Sequence, residues 1–249
     1  MFGGTGGYFW LDSWILGNIV QLGTQRFCRD FLNRRNDPCG RQYDQMTQAA
    51  RSGCANTAEG SARRATSRET EMKLTDVARA SLAELAGDFI NWLLRQGKAP
   101  WEKTGAEARA VFAIRLDPPA YGDDVVRDAC LHILDQKKKF DRWLDSDSDE
   151  AVANGLLILI GRVINMLNHQ LESQGENFKK EGGFREKLTG IRVEARAARE
   201  DAPACPDCGS PMTRRLAQSG KNSGKAFWGC TGYPKCRGIR DIQPGQDPG

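Results

Sequence analysis

Four cysteines near the end of the chain constrain its folding more than any other feature. Two residues separate Cys205 from Cys208, 21 separate Cys208 from Cys230, and five separate Cys230 from Cys236. A two-residue gap lets one tight turn aim two sulfurs at a single metal ion, and the second pair closes a tetrahedron. The region contains no histidine, since the chain's two are His132 and His169, so a Cys2His2 site is excluded. The spacing predicts one structural Zn2+ held by Cys205, Cys208, Cys230 and Cys236, with no open position for chemistry. A segment of fewer than about 50 residues buries little core, so the metal should supply much of its folding free energy.

Charge divides at the same place. Residues 202–249 carry seven lysines and arginines against three aspartates, while the remaining residues carry 29 of each sign. The net charge of +4 therefore resides in the last fifth of the chain, offset in part by the −2 of a zinc tetrathiolate. Positive charge beside flat rings suits a nucleic-acid strand, because bases stack on aromatic faces and cations track the phosphates. The candidates in the module are Arg214, Arg215, Lys225, Phe227, Trp228, Tyr233, Lys235 and Arg237. For the rings the alternative is packing of the small core, and for the cations a solvated surface.

The rest of the chain reads as helices. Leu16, Val20, Phe27 and Phe31 recur at helical spacing and predict a helix over 9–35. A second is predicted from Pro38, in its first turn, to Gly60 as a left-handed cap. Thr66 and Glu69 form a capping box for a third helix ending near Gln96, with Gly97 as its stop. Residues 98–147 are broken by Pro100, Pro118, Pro119 and Gly122, with short helices expected near 104–115 and 123–144. The run Asp145, Asp147, Asp149, Glu150 lacks the Gly and Glu that a calcium loop requires. Ser148 instead caps a helix over 149–177 that is apolar on most sides and must be covered on several of them. A basic helix over 184–200 would place Arg192, Arg196 and Arg199 on one face, next to the metal module. Lys137, Lys138 and Lys139 read as a wet helix face, and Cys28, Cys39, Cys54 and Cys130 as buried free thiols. With almost no period-two patterning before residue 200, the expected class is mainly α: a four-helix bundle over 1–200, with a small β zinc ribbon over 201–249.

Residues 204–240 resemble a known family. Cys205-Pro206, Cys208-Gly209-Ser210-Pro211-Met212, Phe227-Trp228-Gly229-Cys230, Tyr233-Pro234, Cys236 and Gly238 look like the C-terminal four-cysteine zinc ribbon of bacterial type IA topoisomerases. That resemblance implies an accessory that helps grip single-stranded DNA. Arg51-Ser52, Asn56, Ala58-Glu59-Gly60, Leu74, Ala78, Ser81-Leu82 and Glu84-Leu85 are similar to the four-helix-bundle proteins encoded in intervening sequences of bacterial 23S ribosomal RNA. Those resemble in turn the accessory proteins of diversity-generating retroelements, beside which residues 98–147 look like an insertion. This likeness implies a ring-like homo-oligomer, with nucleic acid or a reverse transcriptase as partner, and no enzyme activity.

The resulting expectation is a non-catalytic protein that binds single-stranded DNA or RNA through the ribbon while the bundle oligomerises. An adaptor docking a polymerase or reverse transcriptase is the alternative. Topoisomerase activity is a weaker one, because Tyr8, Tyr43, Tyr121 and Tyr233 lie in no catalytic context. The chain shows neither a run of about 18 apolar residues nor a basic flank before its N-terminal apolar stretch. No membrane span, no signal peptide and a cytoplasmic location are expected.

Overall fold

The computed structural model describes residues 7–64, 66–181, 189, 192–193, 202–217 and 224–242. The chain divides into two compact units, Met1–Glu181 and Gly182–Gly249. The first is helical and the second carries a small antiparallel sheet, so the class is mainly α with a β ribbon.

A 3-10 turn, Gly7–Trp10, leads into α1 (Asp12–Phe31). Two further long helices follow, α2 (Arg41–Arg63) and α3 (Arg68–Arg95). The insertion forms α4 (Ala106–Ala113), α5 (Val125–Lys138) and α6 (Asp141–Leu144). The helix α7 (Asp149–Glu181) completes the bundle. Each of α1 and α3 packs against both α2 and α7. The close approaches of Gly17 to Cys54, Gly53 to Leu82 and Gly23 to Leu156, and the bond from Gln174 at one end of α7 to Glu71, run these neighbours antiparallel. Ile15, Leu16, Phe27, Leu82, Leu85, Phe89, Leu156 and Leu159 fill the centre.

The helix ends follow local rules, with corrections. Gly97, at φ 69°, ends α3 as read: Lys98 N–H bonds to Leu93 O and Gly97 N–H to Leu94 O, at 3.0 Å each. That double closure suits a residue without Cβ in the left-handed region. The cap of α3 is Ser67 rather than Thr66, its hydroxyl accepting from Thr70 N–H at 3.2 Å, and Glu69 accepts from Lys73 Nζ. Pro38 lies before α2, not in its first turn, and Asp37 caps the helix by accepting from Gln42 and Tyr43 N–H. Gly60 is no left-handed cap. It sits inside α2, where an added Cβ would lie 3.3 Å from Glu71 O and 3.4 Å from Leu74 Cβ; it lets α2 and α3 close together. Ser148 caps α7, accepting from Ala151 N–H at 3.3 Å. Asp149 does more than favour the helix's positive end: it accepts from Trp92 Nε1 and Gln96 Nε2.

The insertion helices lie against α1 and α7. Arg26 of α1 donates to Leu144 O and Ser146 O at 2.8 Å each, and Asn154 of α7 accepts from Trp101 N–H at 2.7 Å. Lys137 pairs with Asp141 and Asp145, Lys138 with Asp135, and Lys139 with Asp117, so the lysine run is tied into its own fold. Cys28 and Cys54 are buried thiols, and burial pushes each up to about 12. Cys39 and Cys130 are exposed, contrary to expectation. By length and composition α7 could cross a membrane, yet 56% of its most apolar stretch is buried inside the unit.

Candidate metal centre and nucleic-acid face

The ribbon is built of β1 (Met212–Leu216), β2 (Ala226–Cys230) and β3 (Ile239–Asp241) in that order, all antiparallel. Two turns carry the cysteines. Cys205 N–H bonds to Ser210 O at 2.8 Å and Gly209 N–H to Cys205 O at 2.9 Å, with Gly209 at φ 72° turning the chain back. Cys236 N–H bonds to Gly232 O at 3.0 Å and closes the second turn.

The four Sγ atoms lie within 4.8 Å of one another. Cys205 and Cys236 are 3.8 Å apart and Cys208 and Cys230 3.4 Å. A tetrahedron with Zn–S bonds of about 2.3 Å has sulfurs about 3.8 Å apart, so the set fits one Zn2+. Among the clustered thiols the Ser210 hydroxyl and backbone N–H lower that of Cys208, while its neighbours push that of Cys236 up. Gly232 N–H donates to Cys230 Sγ at 3.2 Å. A Cβ on Gly238 would collide with Cys205 Sγ and come within 3.0 Å of Asp207 Oδ2, so only glycine passes the knot there. The site holds one structural Zn2+ and folds the module around it.

Strand register sorts the predicted contact residues by face. Arg214 pairs with Trp228 and Trp228 with Arg240, while Arg215 pairs with Phe227 and Gly229 with Ile239. Opposed residues share a face and neighbours alternate. Trp228 lies on the metal side, 9% exposed, with Cys205, Met212 and Cys230, so its ring packs the core and offers no stacking surface. Arg214 flanks that side, exposed. The other face presents Thr213, Arg215, Phe227, Gly229, Ile239 and, opposite Phe227, the acidic Asp241. Arg215 lies over Gly229, where a Cβ would meet its Cδ at 3.1 Å, and its guanidinium sits 5.7 Å from the Tyr233 ring centre. Tyr233 is 58% exposed. Arg215, Phe227, Gly229, Tyr233, Arg237 and Ile239, together with the metal ligands Cys230 and Cys236, border a groove of about 290 Å³. Lys225 and Lys235 are exposed, and no ion pair holds Arg215, Lys235 or Arg237 among the described residues.

Arg192 is exposed at a helical position, while Arg196 and Arg199 lie outside the described residues, as does most of the helix expected over 184–200. Sequence reasoning missed Gly229, the floor of the groove, and Ser210, which tunes Cys208. A glycine between the Phe-Trp pair and Cys230 was the available signal for the first.

The family model for the topoisomerase DNA-binding C4 zinc finger matches residues 203–245. No curated protein and no solved structure matches the chain. The C-terminal module is thus similar, over its whole metal centre and groove, to a DNA-binding zinc finger of topoisomerases.

Proposed function

We propose that this is a non-catalytic protein whose zinc ribbon grips single-stranded nucleic acid on the groove face while the helical unit assembles copies of the chain. One observation carries the reading: the sheet face away from the tryptophan core places Arg215, Phe227, Tyr233 and Arg237 around one open groove. A base stacked on Tyr233 and Phe227 would gain about 1–3 kcal/mol, and the guanidinium groups would meet its phosphates. Arg215, already against the tyrosine ring, would need little reorganisation. Lys225, Lys235 and Arg214 would extend the phosphate track. Assembly is supported by Ile90 and Leu94, one turn apart on α3 and both exposed, Leu94 at 59%. Joining several weak ribbons would raise avidity without new contacts.

Fluorescence anisotropy with a labelled single strand across a salt series tests the reading. Three phosphate contacts per ribbon would give log K against log salt a slope of about −2, taking about 0.7 per contact for single strands. Arg215→Gln with Arg237→Gln should flatten that slope, and light scattering should show more than one chain per particle. Salt-independent binding, or none at low salt, would defeat the proposal.

A further inference from the structure

A second cavity, of about 800 Å³, opens in the helical unit between α4 and α7. Its charged lining is all positive: Lys103, Arg115 and Arg162. Arg162 is 8% exposed, and among the described residues its side chain donates to Val111 O, at 3.4 Å. It forms no ion pair among the described residues. The carboxylate that acts on it, Asp12, is beyond pairing distance, and burial together with Arg115 disfavours its charge. A buried guanidinium without a counter-ion is costly, and a long hydrogen bond to Val111 O and the Phe140 ring, 5.9 Å from the guanidinium carbon, offset it only in part. Beside it, Trp101 and Phe112 supply flat apolar surface, with Phe112 57% exposed. Asn165, exposed on α7, offers an amide donor and acceptor.

We infer that this cavity binds a nucleoside phosphate, its phosphate on Arg162, Arg115 and Lys103 and its base against Trp101 and Phe112. Three cations match a dianion better than the single charge of a fatty acid, and an edge amide suits a base. The volume is that of sites for ligands of this size. The inference is independent of the ribbon, whose groove takes no part in it.

The test is equilibrium binding of the four nucleoside 5′-monophosphates, adenosine and inorganic phosphate to the full chain. Variants Arg115→Gln and Phe112→Ala change exposed residues, and Gly161→Leu fills the cavity where an added Cβ would meet nothing. A nucleotide bound with Kd below about 1 mM, weakened about tenfold or more by each variant at unchanged melting temperature, upholds the inference. Adenosine or inorganic phosphate binding as tightly as the nucleotides overturns it, as does no nucleotide binding at about 1 mM or binding indifferent to all three variants. The source is resolved on a chain carrying Tyr233→Ala and Arg215→Gln in the ribbon. A single-stranded oligonucleotide that displaces the mononucleotide there makes a strand the occupant; one that does not makes it the free nucleotide.

Discussion

Trp228 and Tyr233 lie in the same metal-binding module, one buried and one exposed, and replacing each by alanine separates core packing from the proposed stacking. Trp228 is 9% exposed, behind Met212, Cys205 and Cys230. Truncating such a ring costs about 3–5 kcal/mol, as much as so small a core can supply in total. Since metal binding and folding are one equilibrium here, Trp228→Ala should weaken zinc binding by the same energy, about 150-fold to 5,000-fold. Tyr233 is 58% exposed, and its ring lies 5.7 Å from the Arg215 guanidinium, a contact worth about 0.5–1 kcal/mol at an exposed site. Tyr233→Ala should therefore leave zinc affinity within about fivefold while losing about 1–3 kcal/mol per stacked base. Competition against a chromophoric chelator reads the first quantity, and anisotropy with a labelled single strand the second. Wild-type zinc affinity in Trp228→Ala, or wild-type strand affinity in Tyr233→Ala, would refute the assignment of faces.

Three further outcomes follow from single contacts. Gly238→Ala drives a methyl into Cys205 Sγ and should lower zinc affinity by about 10–100-fold, the scale for disturbing groups around a metal ligand; Gly232→Ala, whose Cβ would sit 3.4 Å from Cys230 Sγ, should leave it nearly unchanged in the same competition assay. In the bundle, Gly53→Ala would put a Cβ 2.8 Å from Leu82 Cγ and cost about 1–3 kcal/mol in urea unfolding, whereas Gly87→Ala, with open space around it, should stabilise by about 0.5–1 kcal/mol. Burial raises the pKa of Glu71, which accepts from Gln174 Nε2 at 3.0 Å. A carboxyl raised on folding is bound by a proton more tightly in the native state, so stability falls as pH rises from the unfolded value through the folded one. Glu71→Gln should remove that loss and raise neutral-pH stability by about 1 kcal/mol, its new amide reaching the unpartnered Gln174 Oε1; thermal melts at pH 4 and 7 check it.

What the sequence reveals, and what it hides, follows from the range of each interaction. The metal knot was legible because thiolate spacing alone fixes which sulfurs can meet. Gly97 and Ser148 were legible because helix ends close on their own neighbours. Thr66 and Ser67 can both cap, and only the path of the chain after α2 chooses Ser67. Gly60 was misread because its partner, the start of α3, is brought against it by packing. Phe227 and Trp228 are adjacent, and nothing local says which ring faces the metal; the pairing of β2 with β1 and β3 decides it. Arg162 carries no local signal of its surroundings, since the cavity it lines exists only once α4 folds over α7.

The account rests on zinc organising the face that grips a strand, and a chelator titration followed simultaneously by metal analysis and strand binding tests it most directly. One zinc per chain at the start, with single-strand affinity falling in proportion to zinc removed and returning when zinc is restored, is the predicted result. Undiminished strand binding after complete zinc removal would contradict it.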